Sequence, residues 1–243
     1  MFNTKIPFYS IAILLSLIAN LIIVSRLSKK YSFTSREIIC LLLYENVGIV
    51  CGAKVLTFLQ NYKELNGQFD FLSLGLSSYG AVIGALLFFI LFSLQFKKSF
   101  KEILYIFMPS LPLMYGIGKI GCFLIGCCYG IEYSGFGSVV YHYNTLVPID
   151  TPLFPVQIVE TAFFAGIFIY MMVQHERRKF HLGSVGVSFI LCGFAKFILE
   201  FLRYSPAGKQ LSSTQVISIA FIIIGTFTTY LFTRESDKNN PHL

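Results

Sequence analysis

Runs of apolar residues, most of them about twenty long, recur along this chain at 6–24, 37–59, 73–95, 103–125, 155–174, 183–203 and 212–233. A helix needs about 20 such residues to cross a hydrocarbon core about 30 Å thick. The pattern therefore predicts an all-α, polytopic membrane protein with seven transmembrane helices and its two termini on opposite sides. Between the spans there is no linker of more than a few polar residues, apart from a long segment at 126–154. We expect one membrane domain over 1–234 and a disordered tail at 235–243. The 126–154 segment carries Gly130, Gly135, Gly137, Pro148 and Pro152 together with Tyr129, Tyr133, Phe136, Tyr141, Tyr143 and Phe154. Turn-formers and aromatics at that density predict an ordered cap at the membrane surface.

The placement of positive charge gives the orientation, because cytoplasmic loops carry the excess of Lys and Arg. Twelve of the nineteen basic residues fall on one side, in the connections that hold Arg26, Lys29, Lys30 and Arg36, then Lys97, Lys98 and Lys101, then Arg177, Arg178 and Lys179, and finally Arg234 and Lys238. The other side holds Lys5, Lys63, Arg203 and Lys209. The N-terminus is thus expected outside and the C-terminus inside. The first span, preceded by the single Lys5 and lacking a small-residue cleavage signal, reads as a retained helix.

Composition agrees with this pattern. Hydrophobic residues make up 55% of the 243 and charged residues 13%, with a mean hydropathy of +0.70; a soluble domain carries about 25% charge. Topology and attraction to anionic lipid account for the net charge of +7, so nucleic acid is not an expected partner.

Against this background the segment from Gly116 to Gly130 stands apart, with a cation, three thiols and five glycines at the end of an apolar span. An ionisable residue at membrane depth is costly, and so marks a candidate functional site. Within or beside the spans lie Glu45, Lys54, Lys119, Glu160, Lys196, Glu200 and Arg203. Lys196 and Glu200 are four apart and share a helix face, which Arg203 extends three residues on. Lys119 and Glu160 fall at comparable depth on the outer side. Three cations with two carboxylates form a set that suits one phosphate, although the same residues could pair off simply to fix helix packing.

The cysteines leave several readings open. Cys40, Cys51 and Cys192 sit inside spans as small hydrophobes. A zinc site from Cys122, Cys127 and Cys128 completed by His142 matches no structural zinc spacing well, and no metal and no cofactor is expected. Lys119, three residues before Cys122, would lower the pKa of a nucleophilic thiol. The third reading has the thiols packing against backbone that the glycines expose.

Several segments, taken in order, resemble prolipoprotein diacylglyceryl transferases. They are Tyr-Gly-Ala-Val-Ile-Gly at 79–84, Gly-Lys-Ile-Gly-Cys-Phe-Leu-Ile-Gly-Cys-Cys-Tyr-Gly at 118–130, Phe-Pro-Val-Gln-Ile-Val-Glu at 154–160, Phe-Ile-Leu-Glu-Phe-Leu-Arg at 197–203 and Leu-Ser-Ser-Thr-Gln at 211–215. The resemblance covers spans two to seven. It implies a seven-span bacterial cytoplasmic-membrane enzyme, with its site toward the outer face, that moves diacylglycerol from phosphatidylglycerol to the lipobox cysteine thiol of a preprolipoprotein and releases glycerol phosphate.

Carried over by position, Gly121, Gly126, Gly130, Pro155, Gln157, Glu160, Glu200 and Arg203 match. Lys119 and Lys196 stand where the family has arginines, Cys122 replaces an asparagine, Cys127 an acid and Tyr79 a histidine. The resemblance implies that Lys119, Lys196 and Arg203 hold the phosphate beside Gly121, Gly126 and Gly130, that Glu160 and Glu200 orient the cations, and that Tyr79 faces the acceptor. Two further readings are a transferase using Cys122 or Cys127 covalently, and a relative that binds lipid without turnover.

Overall fold

The computed structural model describes residues 6–31, 33–62, 75–142, 147–177, 179–204 and 211–239. Lys5, Lys63, Tyr143, Arg178 and Lys209, named above for orientation or for the cap, lie outside the described residues, as does 240–243. Helices occupy Ile6–Ser28 (α1), Ser35–Asn61 (α2), Ser78–Phe96 (α3), Phe100–Phe107 (α4), Ser110–Ile125 (α5), Val156–Glu176 (α6), Leu182–Glu200 (α7) and Ser213–Asn239 (α8). Among the described residues there are only isolated β-bridges besides these helices. The architecture is all-helical, with seven candidate membrane spans among the described residues, the fourth running Phe100–Ile125 through α4 and α5. Between those two helices stands Pro109, which has no N–H to give to a continuous helical ladder.

The expected spans differ from the observed ones mainly at their ends, where local chemistry decides. Thr34 accepts the Glu37 N–H and the Glu37 side chain returns to the Thr34 N–H, a capping box that starts α2 before the expected residue 37. Ser77 caps α3 through the Gly80 N–H, so this helix begins later than residue 73. The sixth span is expected to run through Arg203, but α7 stops at Glu200 and Arg203 lies beyond it. At the chain's end the backbone is helical through Asn239, so residues 235–239 of the expected tail continue α8.

Burial is inverted relative to a protein in water. Leu59, Leu94 and Ile223 are exposed, whereas Glu45, Lys119, Glu160 and Lys196 are buried. Lipid supplies no hydrophobic drive between helices, which must associate by close packing and polar contact.

The chain divides into two compact units, one of Leu21–Met108 and one of Met1–Asn20 with Pro109–Leu243. In the first, α2 packs on α3 and α3 on α4. Gly48 and Gly52 of α2 face Gly80 and Gly84 of α3 so closely that a Cβ on Gly84 would stand 2.0 Å from the Gly48 carbonyl oxygen, and one on Gly52 2.2 Å from that of Gly80. Only glycine permits this approach. In the second unit α5, α6, α7 and α8 pack successively against one another, and this unit holds the buried ion cluster.

Candidate functional site

Three helix ends and one turn bring the charges together. Lys119 lies on α5, Glu160 on the second turn of α6, and Lys196 with Glu200 on the last turns of α7. Beyond Glu200 the chain tightens: the N–H groups of Phe201, Leu202 and Arg203 bond to the carbonyls of Ile198, Leu199 and Glu200. This turn places the Arg203 Nη1 3.4 Å from the Glu200 carboxylate.

Glu160 is the hub. Its Oε2 lies 2.7 Å from the Lys119 Nζ and 3.5 Å from the Arg203 Nη2, and its Oε1 lies 3.5 Å from the Lys196 Nζ. Tyr115 completes the arrangement. Its hydroxyl donates to Glu160 Oε1 at 2.8 Å and accepts from the Lys196 Nζ at 2.7 Å, and its ring lies beneath both ammonium groups, 5.3 Å from Lys119 and 4.8 Å from Lys196. Glu200 is held from its other side by the Ser212 hydroxyl at 3.1 Å, and Ser212 and Gln215 bond reciprocally at the start of α8.

Three cations against two carboxylates leave one positive charge in surplus. Stripping ions of water costs several kcal/mol per ion, recovered only where partners are well placed; here each group has an oppositely charged partner within 3.5 Å, although Arg203 Nη2 makes no hydrogen bond. The members differ in access. The side chains of Lys119, Lys196 and Glu160 are 8%, 5% and 3% exposed, whereas that of Arg203 is 20% exposed. Arg203 is thus the cation that an arriving anion can reach. Burial works against its charge, but Glu160, Cys128, Tyr115 and Glu200 around it outweigh that and push its pKa up, so the guanidinium stays charged.

The glycines serve close packing here. Gly130 sits between two backbones, where a Cβ would be 2.4 Å from the Phe154 carbonyl oxygen and 2.9 Å from that of Leu202. Around it Ile131 N–H bonds to Leu202 O, Tyr204 N–H to Tyr129 O and Phe154 N–H to Ile131 O, with Tyr129 stacked on Tyr204. This mat fixes Arg203 to the 126–154 segment. Gly121 meets Ala12 and Tyr9 of α1. Gly126 ends α5 in the left-handed region at φ +76°, its N–H turned back to Cys122 and Phe123 carbonyls.

The turn at Gly126 also gathers the thiols. Cys127 N–H bonds to Cys122 O at 3.0 Å, Cys128 itself adopts φ +55°, and the three sulfurs lie within 4.8 Å of one another. Hydrogen bonds from Cys122 and Cys127 lower the pKa of Cys128, whereas its bonds to Cys122 and Cys128 raise that of Cys127. Gln157 donates to the Cys127 carbonyl at 2.8 Å, and Tyr141, its pKa raised by burial, donates to that of Phe123 at 3.0 Å.

The structure thus brings Lys119, Glu160, Lys196, Glu200 and Arg203 into one cluster, and Cys122 and Cys127 into a second with Cys128. His142 does not join the thiols; its Nδ1 lies 2.8 Å from Asp150. Tyr79 is buried near the start of α3 in the other compact unit, and Glu45 and Lys54 are buried in α2 of that unit. Sequence reasoning missed Tyr115, and it singled out Ser212 and Gln215 only as part of the 211–215 segment, without a role. Tyr115 lies four residues before Lys119 on α5, a spacing that could have drawn attention to it.

Comparison with known proteins points the same way. Residues 1–231 match the family model described as prolipoprotein diacylglyceryl transferase. A Clostridium perfringens protein named phosphatidylglycerol–prolipoprotein diacylglyceryl transferase 2 is 28% identical over 235 residues, covering 94% of this chain and 91% of its own. A Clostridium tetani protein named phosphatidylglycerol–prolipoprotein diacylglyceryl transferase is 30% identical over 233 residues, covering 93% of each. A Helicobacter pylori protein of that name is 26% identical over 260 residues, covering 95% of this chain and 88% of its own.

Proposed function

We propose, since this chain belongs to the prolipoprotein diacylglyceryl transferase family, that it transfers the diacylglyceryl group of phosphatidylglycerol to the lipobox cysteine thiol of a preprolipoprotein. The observation that carries this reading is the ion cluster: a single buried carboxylate, Glu160, holds three cations, one of which, Arg203, remains accessible. In this reading Arg203 receives the phosphate through its planar fork. Lys119 and Lys196, already engaged by Glu160 and Tyr115, supply fixed positive charge toward the leaving glycerol phosphate as its C–O bond breaks. Charge held in place before reaction stabilises a transition state without reorganisation. Glu160 and Glu200 keep the cations oriented.

We place the cluster on the outer face. The C-terminal ends of α5 and α7 and the N-terminal end of α6 carry it, whereas Arg177 and Lys179 follow the other end of α6. The positive-inside asymmetry puts those basic residues in the cytoplasm, the N-terminus outside and the C-terminus inside. Lipid enters sideways, with the 126–154 segment as a cap. The test is transfer from phosphatidylglycerol to a lipobox peptide in membranes containing the protein. Arg203→Ala and Lys119→Ala are each expected to reduce the rate at least about a hundredfold, in the range lost with one transition-state hydrogen-bond donor; full activity in both would refute the assigned roles.

A further inference from the structure

The fold also builds a three-thiol cradle beside the ion cluster. Cys122 lies on the last turn of α5, and the left-handed conformations of Gly126 and Cys128 fold the chain back so that Cys127 and Cys128 meet it. A positive φ is unusual for a residue with a β-carbon, and it persists only where the surroundings dictate it. Here they do: Gln157 fixes the Cys127 carbonyl, Tyr141 fixes that of Phe123, and Cys127 N–H closes on Cys122 O. The three sulfurs, all within 4.8 Å of one another, converge without any disulfide among them. Zinc–sulfur bonds of about 2.3 Å place ligand sulfurs about 4 Å apart, so side-chain rotation closes the remaining gap.

We propose that Cys122, Cys127 and Cys128 bind one thiophilic divalent cation, with Zn²⁺ the best fit, and leave a fourth position open to the acceptor thiol. Three thiolates around Zn²⁺ carry one net negative charge, opposite to the single positive surplus of the ion cluster. The two groups are neighbours in the fold, because Lys119 stands three residues before Cys122 on α5, and Gln157, which holds the Cys127 carbonyl, stands three before Glu160 on α6. Cys128 is also the exposed member of the three, so the open side is accessible. Structural zinc sites close with four protein ligands, whereas three ligands and an open position are the catalytic arrangement.

The inference rests on the transferase reading and deepens it. A thiol that coordinates zinc gives its proton to water and stays bound as a thiolate. That sulfur attacks the glyceryl carbon bearing the phosphate; the C–S bond forms as the C–O bond breaks, and the electron pair leaves on glycerol phosphate. Nothing is oxidised or reduced. Glu160 and Glu200, both engaged by cations, are free of the task of removing the proton.

The test uses the full-length protein, purified in detergent under reducing conditions and loaded with Co²⁺ or Zn²⁺. Expected are a thiolate-to-cobalt charge-transfer band, zinc protection of Cys122, Cys127 and Cys128 but not of exposed Cys51 against alkylation, and a shift of the cobalt spectrum on adding a lipobox peptide but not its Cys→Ser analogue. Cys122→Ser/Cys127→Ser/Cys128→Ser is expected to lose the band, and Cys40→Ser to keep it. Alkylation of the wild-type protein needs no variant, so it decides the matter even if the triple variant does not fold. Absence of both band and protection overturns the site, and a band that the peptide leaves unmoved overturns the open position. A protein that transfers diacylglycerol without binding cobalt refutes the metal alone, and one that binds cobalt without transferring refutes the transferase reading alone.

Discussion

Gln157 and Glu160 stand three residues apart on α6, nearly one helical turn, and each organises a different chemistry: Gln157 holds the carbonyl of Cys127 at 2.8 Å, and Glu160 gathers Lys119, Lys196 and Arg203. One rigid turn of helix thus sets the distance between the thiols and the cations. A shift in either would be transmitted to the other.

Glu160→Gln keeps the shape of the hub but removes its charge. Three cations then face only Glu200, and breaking a buried ion arrangement by deleting one partner costs about 3–5 kcal/mol. We expect a matching loss in thermal or denaturant unfolding together with loss of transfer. Glu160→Gln/Lys119→Met should recover part of the stability, because it removes one of the orphaned charges.

Tyr115→Phe deletes the hydroxyl that links Lys196 to Glu160 and leaves the ring beneath both lysines. Leaving buried polar partners short of a hydrogen bond costs about 1–3 kcal/mol. The expected outcome is an intermediate loss of stability and rate, smaller than that of Glu160→Gln. Wild-type behaviour in both assays would show that the hydroxyl is not a structural bridge.

How much of this was legible beforehand can be judged from these residues. Lys196 and Glu200 were predicted to share a face because helical spacing requires it, and the seven spans followed from apolar length alone. Tyr115 was missed because a tyrosine in an apolar run is indistinguishable from filler until its hydroxyl is seen between two charges. The convergence of the thiols was only one of several readings that the sequence left open. Spacing shows that Cys122, Cys127 and Cys128 are near in sequence, but their meeting depends on two left-handed residues, and nothing about a cysteine announces a positive φ.

Gly130→Ala should be severe for so small a change. The added methyl would stand 2.4 Å from the Phe154 carbonyl oxygen, and that oxygen is backbone, which cannot swing aside as a side chain would. Overpacking of this kind costs about 1–3 kcal/mol. Protease cleavage within 126–154 should become faster than in the wild type, and transfer should fall as Arg203 loses its backbone anchor. Unchanged proteolysis would count against the mat.

His181 gives a pH dependence. Its Nδ1 accepts the Ser184 N–H at 3.3 Å and so caps α7, and its ring stacks on Phe232. Burial lowers its pKa below the ordinary value. The unfolded chain therefore takes up this proton at higher pH than the folded one. The stabilisation is complete above about pH 6.5 and declines as the pH falls toward the lower folded value. Melting curves from pH 8 to pH 5 should show that decline in the wild type. His181→Asn, which can cap without titrating, should lose this part of the slope.

The bare backbone contact between α2 and α3 has a consequence for assembly in lipid. Where carbonyl oxygens rest against glycines, the joint depends on steric fit rather than on expelling water, so it is as strong in hydrocarbon as its geometry allows and has one register. Such a hairpin can form as soon as both strokes of the chain have entered the bilayer, giving α4, which packs on α3, a finished surface rather than two mobile rods.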